Sequence, residues 1–439
     1  MLPMSVRQPS PTAAADPVAS SPVYPRGSRV NGAGHLEVGG CDAVELAREF
    51  GTPAYVYATD DLRSRAREYA EALASHDVEG EILYASKAAP ITAVCEILRS
   101  EGLSIDVASA GELHVALRAG FDPARIYLHG NNKSADELRL AFESGVGTVV
   151  VDSLDEVALA DSLLDRPQDV LIRVTPGIRP STHSFVQTGQ LDSKFGFGLT
   201  GGQAAAGIEA IRSSRHLRLT GLHAHIGSQI FELEPYVRAI EALAEFGSEL
   251  DLSVLNVGGG LGIAYRSGDD PPSIEEYVAV KVEGIRRLFD PLPRILLEPG
   301  RSLVGNAGVT LYTVGTVKEV PGIRTYVAVD GGMSDNLRPM LYGSPYEALV
   351  ADRAAAQPDH RATVAGKHCE SGDVLIEEAL LAGPRPGDVL ATPATGAYGY
   401  AMANNYNGIP RPPVILCSRG DARVAVRRET LDDLTRRDV

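Results

Sequence analysis

A lysine, a run of glycines, a carboxylate and an arginine stand out for the chemistry they could do together. They are Lys87 in Tyr84-Ala85-Ser86-Lys87, the run Gly258-Gly259-Gly260, and Glu298-Pro299-Gly300-Arg301. A lysine amine in a restricted pocket can condense with a carbonyl. Consecutive glycines let the backbone approach a ligand and aim N–H groups at an anion, and a guanidinium adds a forked donor. A carboxylate against a pyridine nitrogen keeps that nitrogen protonated and the ring electron-withdrawing. An amine, a phosphate cradle and a carboxylate describe a pyridoxal 5'-phosphate site. Two of these also have plainer alternatives: a solvated or ion-paired lysine, and a tight turn.

His223 and His225 stand two apart in a strand-like run, so they would share a face and raise the idea of a metal pair. No convincing third ligand accompanies them, and no metal is expected. His225 reads better as a flat imidazole against the cofactor ring, with Ser228 donating to the phosphate.

Such residues need a frame. Eight short apolar runs alternate with helical patterns: Ile82–Ser86, Leu103–Val107, Ile126–His129, Thr148–Val151, Val170–Val174, Leu219–His225, Val254–Val257 and Ile295–Leu297. Two helices open on Ser-x-x-Glu capping boxes, Ser134/Glu137 and Ser153/Glu156. Another, Pro235–Leu250, sets Val237, Ile240, Leu243 and Ala244 on one face. Eight alternating units predict a (β/α)8 TIM-type barrel, with an open doubly wound sheet as the alternative. Barrels carry their functional side chains just after the strands' carboxyl ends. That rule selects Lys87, Asp106, His129, Asp152, Arg173, His225, Gly258–Gly260, and Glu298 with Arg301. A polar residue or glycine comes after every run, which itself favours the barrel.

Around the barrel segment, residues 51–304, the texture differs. Residues 1–27 are rich in Pro, Ser and Ala and read as a disordered tail. Residues 28–50, strand-like around Ala43–Phe50, read as a segment packing with the C-terminal domain. Residues 305–439 read as an all-β, Greek-key-like domain, with runs at Val309–Val317, Thr325–Val329, Asp388–Thr392 and Pro413–Cys417.

Composition narrows the partners. The 439 residues carry 41 Lys+Arg against 57 Asp+Glu, a formal charge of −16 that disfavours nucleic acid and anionic membranes. No apolar run approaches the ~20 residues of a membrane span, and no secretory signal is visible. Cys41, Cys95, Cys369 and Cys417 show neither C-x-x-C nor zinc spacing. A cytoplasmic protein with free thiols is expected.

In their order along the chain, these motifs carry a resemblance. From about residue 30 onward the chain resembles the fold-type-III pyridoxal-phosphate-dependent decarboxylases, most closely their diaminopimelate branch. The resemblance rests on Tyr84–Lys87, His225-Ile-Gly-Ser-Gln229, Gly258-Gly-Gly-Leu-Gly-Ile263, Glu298–Arg301, Cys369-Glu-Ser-Gly-Asp373, Gly396-Ala-Tyr398 and Thr188-Gly-Gln-Leu-Asp-Ser-Lys-Phe-Gly196. It implies that Lys87 bonds the cofactor and that His225 stacks on its ring. Asp106, Ser228, Gly258, Gly259, Gly260, Glu298, Pro299, Gly300, Arg301 and Tyr398 would complete the cofactor site. Arg301, Arg338, Tyr342 and Tyr398 would meet the substrate, and Glu370 its distal ammonium. Cys369, whose thiol can donate a proton, would be the acid. Cys369 and Glu370 would come from the partner subunit of an obligate head-to-tail homodimer.

The reaction implied is decarboxylation of meso-2,6-diaminopimelate to L-lysine, the last step of lysine biosynthesis. The charges agree: two carboxylates and two ammoniums ask for several arginines and an acid. Ornithine, with no distal carboxylate, would leave an arginine buried and unpaired. Ala88-Ala89-Pro90 departs from relatives that place asparagine there, which touches the cofactor's surroundings only. The competing readings are a sister decarboxylase acting on ornithine, arginine or an intermediate, an amino-acid racemase, and a regulatory pseudoenzyme.

Overall fold

The computed structural model describes residues 16–178 and 193–439. Eight parallel strands close a barrel: Gly80–Ala85, Ser104–Val107, Ile126–Leu128, Thr148–Val151, Gln168–Thr175, Leu217–His223, Val254–Asn256 and Arg294–Leu297. The last pairs back on the first, with Ile295 opposite Gly80 and Leu297 opposite Ile82. The open sheet is thereby excluded. Leu83, Tyr127, Val150, Leu171 and Leu296, from five of the eight strands, form a separate buried cluster, the packed interior such a barrel needs.

The surrounding helices follow their local signals. Ser134 and Glu137 form the full reciprocal cap of helix Ala135–Ser144. Ser153 caps helix Leu154–Leu163, but Glu156 does not return the bond to it. Glu156 instead accepts from Asp152 N at 2.9 Å and pairs with buried Lys133 at 2.6 Å, so burial redirected half of that box. In helix Glu234–Gly247, Ile240, Leu243 and Ala244 are buried as their spacing predicts, with Val237 half-buried.

A mixed sheet forms the second unit around the 13-residue strand Gly308–Val320, which pairs with Arg324–Val329, Val389–Pro393 and Ala54–Ala58. Ala54–Ala58 also runs parallel to Val414–Ser418. This strand lies inside the segment assigned to the barrel, yet all five of its residues are buried in the other sheet. The barrel proper therefore begins with the helix Thr59–Ala74. Strands His360–Ala365 and Val374–Leu381 extend the sheet without having announced themselves in the sequence.

The N-terminal region differs from expectation twice. Ala43–Phe50 is a helix rather than strand-like, because the Asp42 carboxylate accepts from Val44 N and Glu45 N while Ala43 and Leu46 turn inward. Residues 16–27 are packed rather than a loose tail: Val18 and Val23 are buried, Asp16 accepts from Val30 N at 2.8 Å, and Arg26 pairs with Glu68 at 2.6 Å. Two small apolar side chains and one carboxylate suffice to hold a Pro-rich stretch down. Leu36, Val38 and Leu46 share a core with Val309, Leu311 and Ile415 of the mixed sheet. Cys41 and Cys417, remote in sequence, meet there as buried free thiols.

Candidate active site

At the carboxyl end of the barrel a cavity is lined by Lys87, Asp106, His225, Ser228, Gly260, Glu298, Gly300, Arg301 and Tyr398. Five of the eight strand-end positions thus converge on one space. Lys87 sits in the single helical turn Ser86–Ala88 directly after the first strand, its side chain open to the cavity. Tyr398 reaches the same place from the mixed sheet. Its backbone adopts φ +62°, and its N–H donates to Ala88 O at 2.7 Å beside Lys87. A left-handed non-glycine residue at a cavity wall is strain held by its surroundings.

Glu298 is the electrostatic centre. It accepts from Asn256 Nδ2 at 2.6 Å and meets His223 Nε2 at 3.1 Å, while His129 Nε2 lies 3.0 Å away. Burial opposes its ionisation, and the two imidazoles outweigh burial and hold the carboxyl well below the usual carboxylate range. Asp106 goes the other way. Burial and then the charge of Glu298 push it well above that range, with Lys87 pulling back. Two neighbouring buried carboxyls are thus shifted in opposite directions.

The strand ends at His223, so His225 lies beyond it rather than closing it. The two imidazoles consequently do different work. His223 belongs to Glu298, and its ring meets His129 edge to face at 4.8 Å. His225 accepts from Gly259 N at Nδ1, 3.2 Å. Burial, Lys87 and Arg173 hold it well below an ordinary imidazole, hence neutral. The ligand atoms of His129, His223 and Glu298 lie within 4.8 Å of one another, a set close enough for a cation that sequence reasoning had not assembled. Asn256 shows that this carboxylate is organised by N–H donors.

Burial pulls His223 down to about 4, with Glu298 opposing. An imidazole depressed in the fold takes its proton more readily when unfolded. The stability it contributes is therefore full above pH 6.5 and lost as pH falls toward 4, about 3 kcal/mol in all. His223→Gln keeps an N–H for Glu298 without titrating. Thermal unfolding across pH 4–6.5 should show a shallower loss of Tm in the variant; equal slopes would assign the titration elsewhere.

The glycine run is required by its neighbours. A Cβ on Gly259 would stand 2.1 Å from Glu298 O, and one on Gly258 2.7 Å from Ala224 O. Gly258 and Gly260 have φ of +60° and +112°. Arg301 donates to Ser228 Oγ at 2.9 Å and to Tyr265 Oη. Arg338 donates to the same Tyr265 Oη at 2.6 Å and to Tyr346 Oη at 2.7 Å. Two buried guanidiniums therefore share one phenol. Burial opposes ionisation of Tyr265, but Arg301 and Arg338 pull it below the ordinary tyrosine value. Tyr265 and Asn256 were not singled out from the sequence: a tyrosine in a loop and an asparagine ending a strand carry no local pattern.

Not every expected residue reaches this space within one chain. Arg338 connects to it through Tyr265, and Tyr342 is half-buried on the same short helix, Arg338–Tyr342. Cys369 and Glu370 are exposed and do not line the cavity. Their loop is fixed by the buried His368–Asp373 pair at 2.7 Å and by Cys369 N donating to Asn407 Oδ1. Most of the Thr188–Gly196 motif lies outside the described residues.

The donor set fits pyridoxal phosphate: an accessible amine, a neutral imidazole, an ionised buried carboxylate, and glycines at which any Cβ would collide. Residues 59–305 match the family model described as the pyridoxal-dependent decarboxylase, pyridoxal binding domain. Diaminopimelate decarboxylase of Bacillus subtilis is 49% identical, covering 94% of this chain and 97% of its own. That of Synechocystis is 42% identical over 99% and 98%. The solved diaminopimelate decarboxylase of M. jannaschii in complex with L-lysine superposes with a TM-score of 0.88 at 31% identity, covering 94% of this chain and 97% of its own. The chain belongs to the pyridoxal-dependent decarboxylases, in the diaminopimelate decarboxylase family.

Proposed function

We propose that this chain removes carbon dioxide from meso-2,6-diaminopimelate to give L-lysine, the last step of lysine biosynthesis, with pyridoxal 5'-phosphate as cofactor. The observation that carries the reading is the pair of buried guanidiniums, Arg301 and Arg338, joined through Tyr265 beside a cavity holding Lys87, His225 and Glu298. When bound, the cofactor supplies an aldehyde and a ring that accepts the electron pair left by carbon dioxide.

The rest falls to the chain's own side chains. Lys87 would hold the cofactor's aldehyde end, and its amine would be the group that the substrate's α-amine replaces there. Glu298, kept ionised by N–H donors, holds a proton on the pyridine nitrogen, and Asp106 completes the surroundings of the ring. His225, neutral and flat, supports the ring face without adding charge. Ser228, Gly258, Gly259, Gly260, Pro299, Gly300 and Tyr398 hold the phosphate end and its flank.

Arg301, Arg338 and Tyr342 take the substrate carboxylates. Arg338→Gln should lower kcat/KM for diaminopimelate on the order of 10²-fold, chiefly through KM, since it unpairs a desolvated charge. Steady-state kinetics check this, and an unchanged KM would remove Arg338 from the substrate site.

Cys369 and Glu370, exposed on a braced loop, complete the cavity of a second copy in a head-to-tail homodimer. There the Cys369 thiol delivers its proton to the substrate α-carbon, and Glu370 receives the distal ammonium. Free thiols at all four cysteines suit the cytoplasm, and among the described residues no helix is long and apolar enough to cross a membrane. The direct test is carbon dioxide release from meso-diaminopimelate, with ornithine, arginine and lysine alongside. Release from diaminopimelate alone with equimolar L-lysine supports the reading. Turnover of another substrate instead would move the chain to a sister activity.

A further inference from the structure

Behind the glycine run lies a cation that the reaction does not use. Lys281, on helix Ile274–Leu288, is 1% exposed. Its ammonium donates to the carbonyl oxygens of Val257 at 2.8 Å, Gly258 at 3.0 Å and Gly259 at 3.4 Å, and to Tyr277 Oη at 2.5 Å. The rings of Tyr236 and Tyr277 cover it at 4.7 and 4.3 Å. It takes part in none of the ion pairs among the described residues, although a buried ammonium without a counter-charge is costly. Burial pulls its amine well below the ordinary lysine value, with Glu298 pulling back. A second polar group is stranded beside it: the buried Tyr236 hydroxyl has no hydrogen-bond partner among the described residues and sits 2.9 Å from where a Cβ of Gly260 would be.

Carbonyls, phenols and rings satisfy the ammonium's hydrogens but supply no net charge. Across the run, where Gly260 borders the cavity, is the place assigned to the phosphate. We propose that Lys281 is a positioning residue of the phosphate cradle, gripping the carbonyls of residues 257–259 from behind and balancing the phosphate's charge through the loop without touching it. The inference rests on the pyridoxal phosphate reading. It predicts that the residue matters to the ligand's phosphate and not to its ring.

Equilibrium binding of pyridoxal phosphate and of pyridoxal to the apoprotein separates the two. Lys281→Met and Lys281→Gln should each lose about tenfold or more in affinity for pyridoxal phosphate while binding pyridoxal as before. Gln retains a donor for the carbonyls, so a similar loss in both variants identifies charge as the cause. Equal losses for the two ligands, or no loss, would overturn the proposal. Should wild type itself bind pyridoxal as tightly as its phosphate, the cradle reading fails instead. If neither variant folds, the wild type decides, because the chain has only six lysines. With ¹⁵N-lysine, the Lys281 Nζ resonance should move when inorganic phosphate is added, and an unmoved resonance overturns the proposal.

Discussion

Lys87→Ala should abolish turnover, with a fall on the order of 10³-fold or more, as removal of an activated nucleophile does. It should also remove the long-wavelength absorbance that a lysine-bound pyridoxal phosphate gives. The expectation comes from position. Lys87 is the amine lining the cavity, alongside Tyr398 and the carboxyls Asp106 and Glu298. No other lysine lines that space. The variant should keep its fold, because the side chain is exposed to the cavity and carries no core packing. Absorbance spectra, circular dichroism and carbon dioxide release on one preparation provide the check. A folded variant that kept the absorbance would place the cofactor's anchor on a different residue.

Cys369→Ala should retain the cofactor and its spectrum yet lose about 10²- to 10⁴-fold in rate, the range for removing a general acid. The exposed thiol is held on a loop braced by His368 and Asp373, so the substitution should leave the fold intact. Because Cys369 does not line its own chain's cavity, the stronger test is complementation. Mixing Lys87→Ala with Cys369→Ala protein should restore part of the activity through hybrid dimers, in which one cavity has both groups. No recovery after demonstrated subunit exchange would count against a shared site. Full activity in Cys369→Ala alone would remove it as the proton donor.

The eight barrel strands were legible because a strand buried on both faces reads as an apolar run, and each run here has a polar residue or glycine at or near its carboxyl end. Reading Leu219–His225 as one strand nonetheless went too far, since apolar character continues past the last ladder pair at His223–Asn256. The region before the barrel misled for the opposite reason. Ala43–Phe50 is too short for its period to decide between helix and strand, and its Asp42 cap settled the matter. Ala54–Ala58 looked like barrel and joined the other sheet, because pairing is chosen by partners some 250 and 360 residues further along, at Gly308–Leu311 and Val414–Cys417. Residues 16–27 have a tail's composition but lie on an apolar surface that the rest of the chain provides.

By itself, then, the sequence determined the run of elements, the eightfold parallel barrel and the chemical kinds of group at its mouth. These are local properties: period, capping, and the residue type at each strand's end. Only the tertiary structure decided who partners whom and which groups carry charge. Asn256, His129 and His223 hold Glu298 below the usual carboxylate range, while burial and the charge of Glu298 push Asp106 above it. Tyr265 ties Arg301 to Arg338, and Lys281 is set behind the glycine run. Protonation and pairing depend on burial and on distances between segments far apart in the chain, and neither quantity exists until the chain has folded.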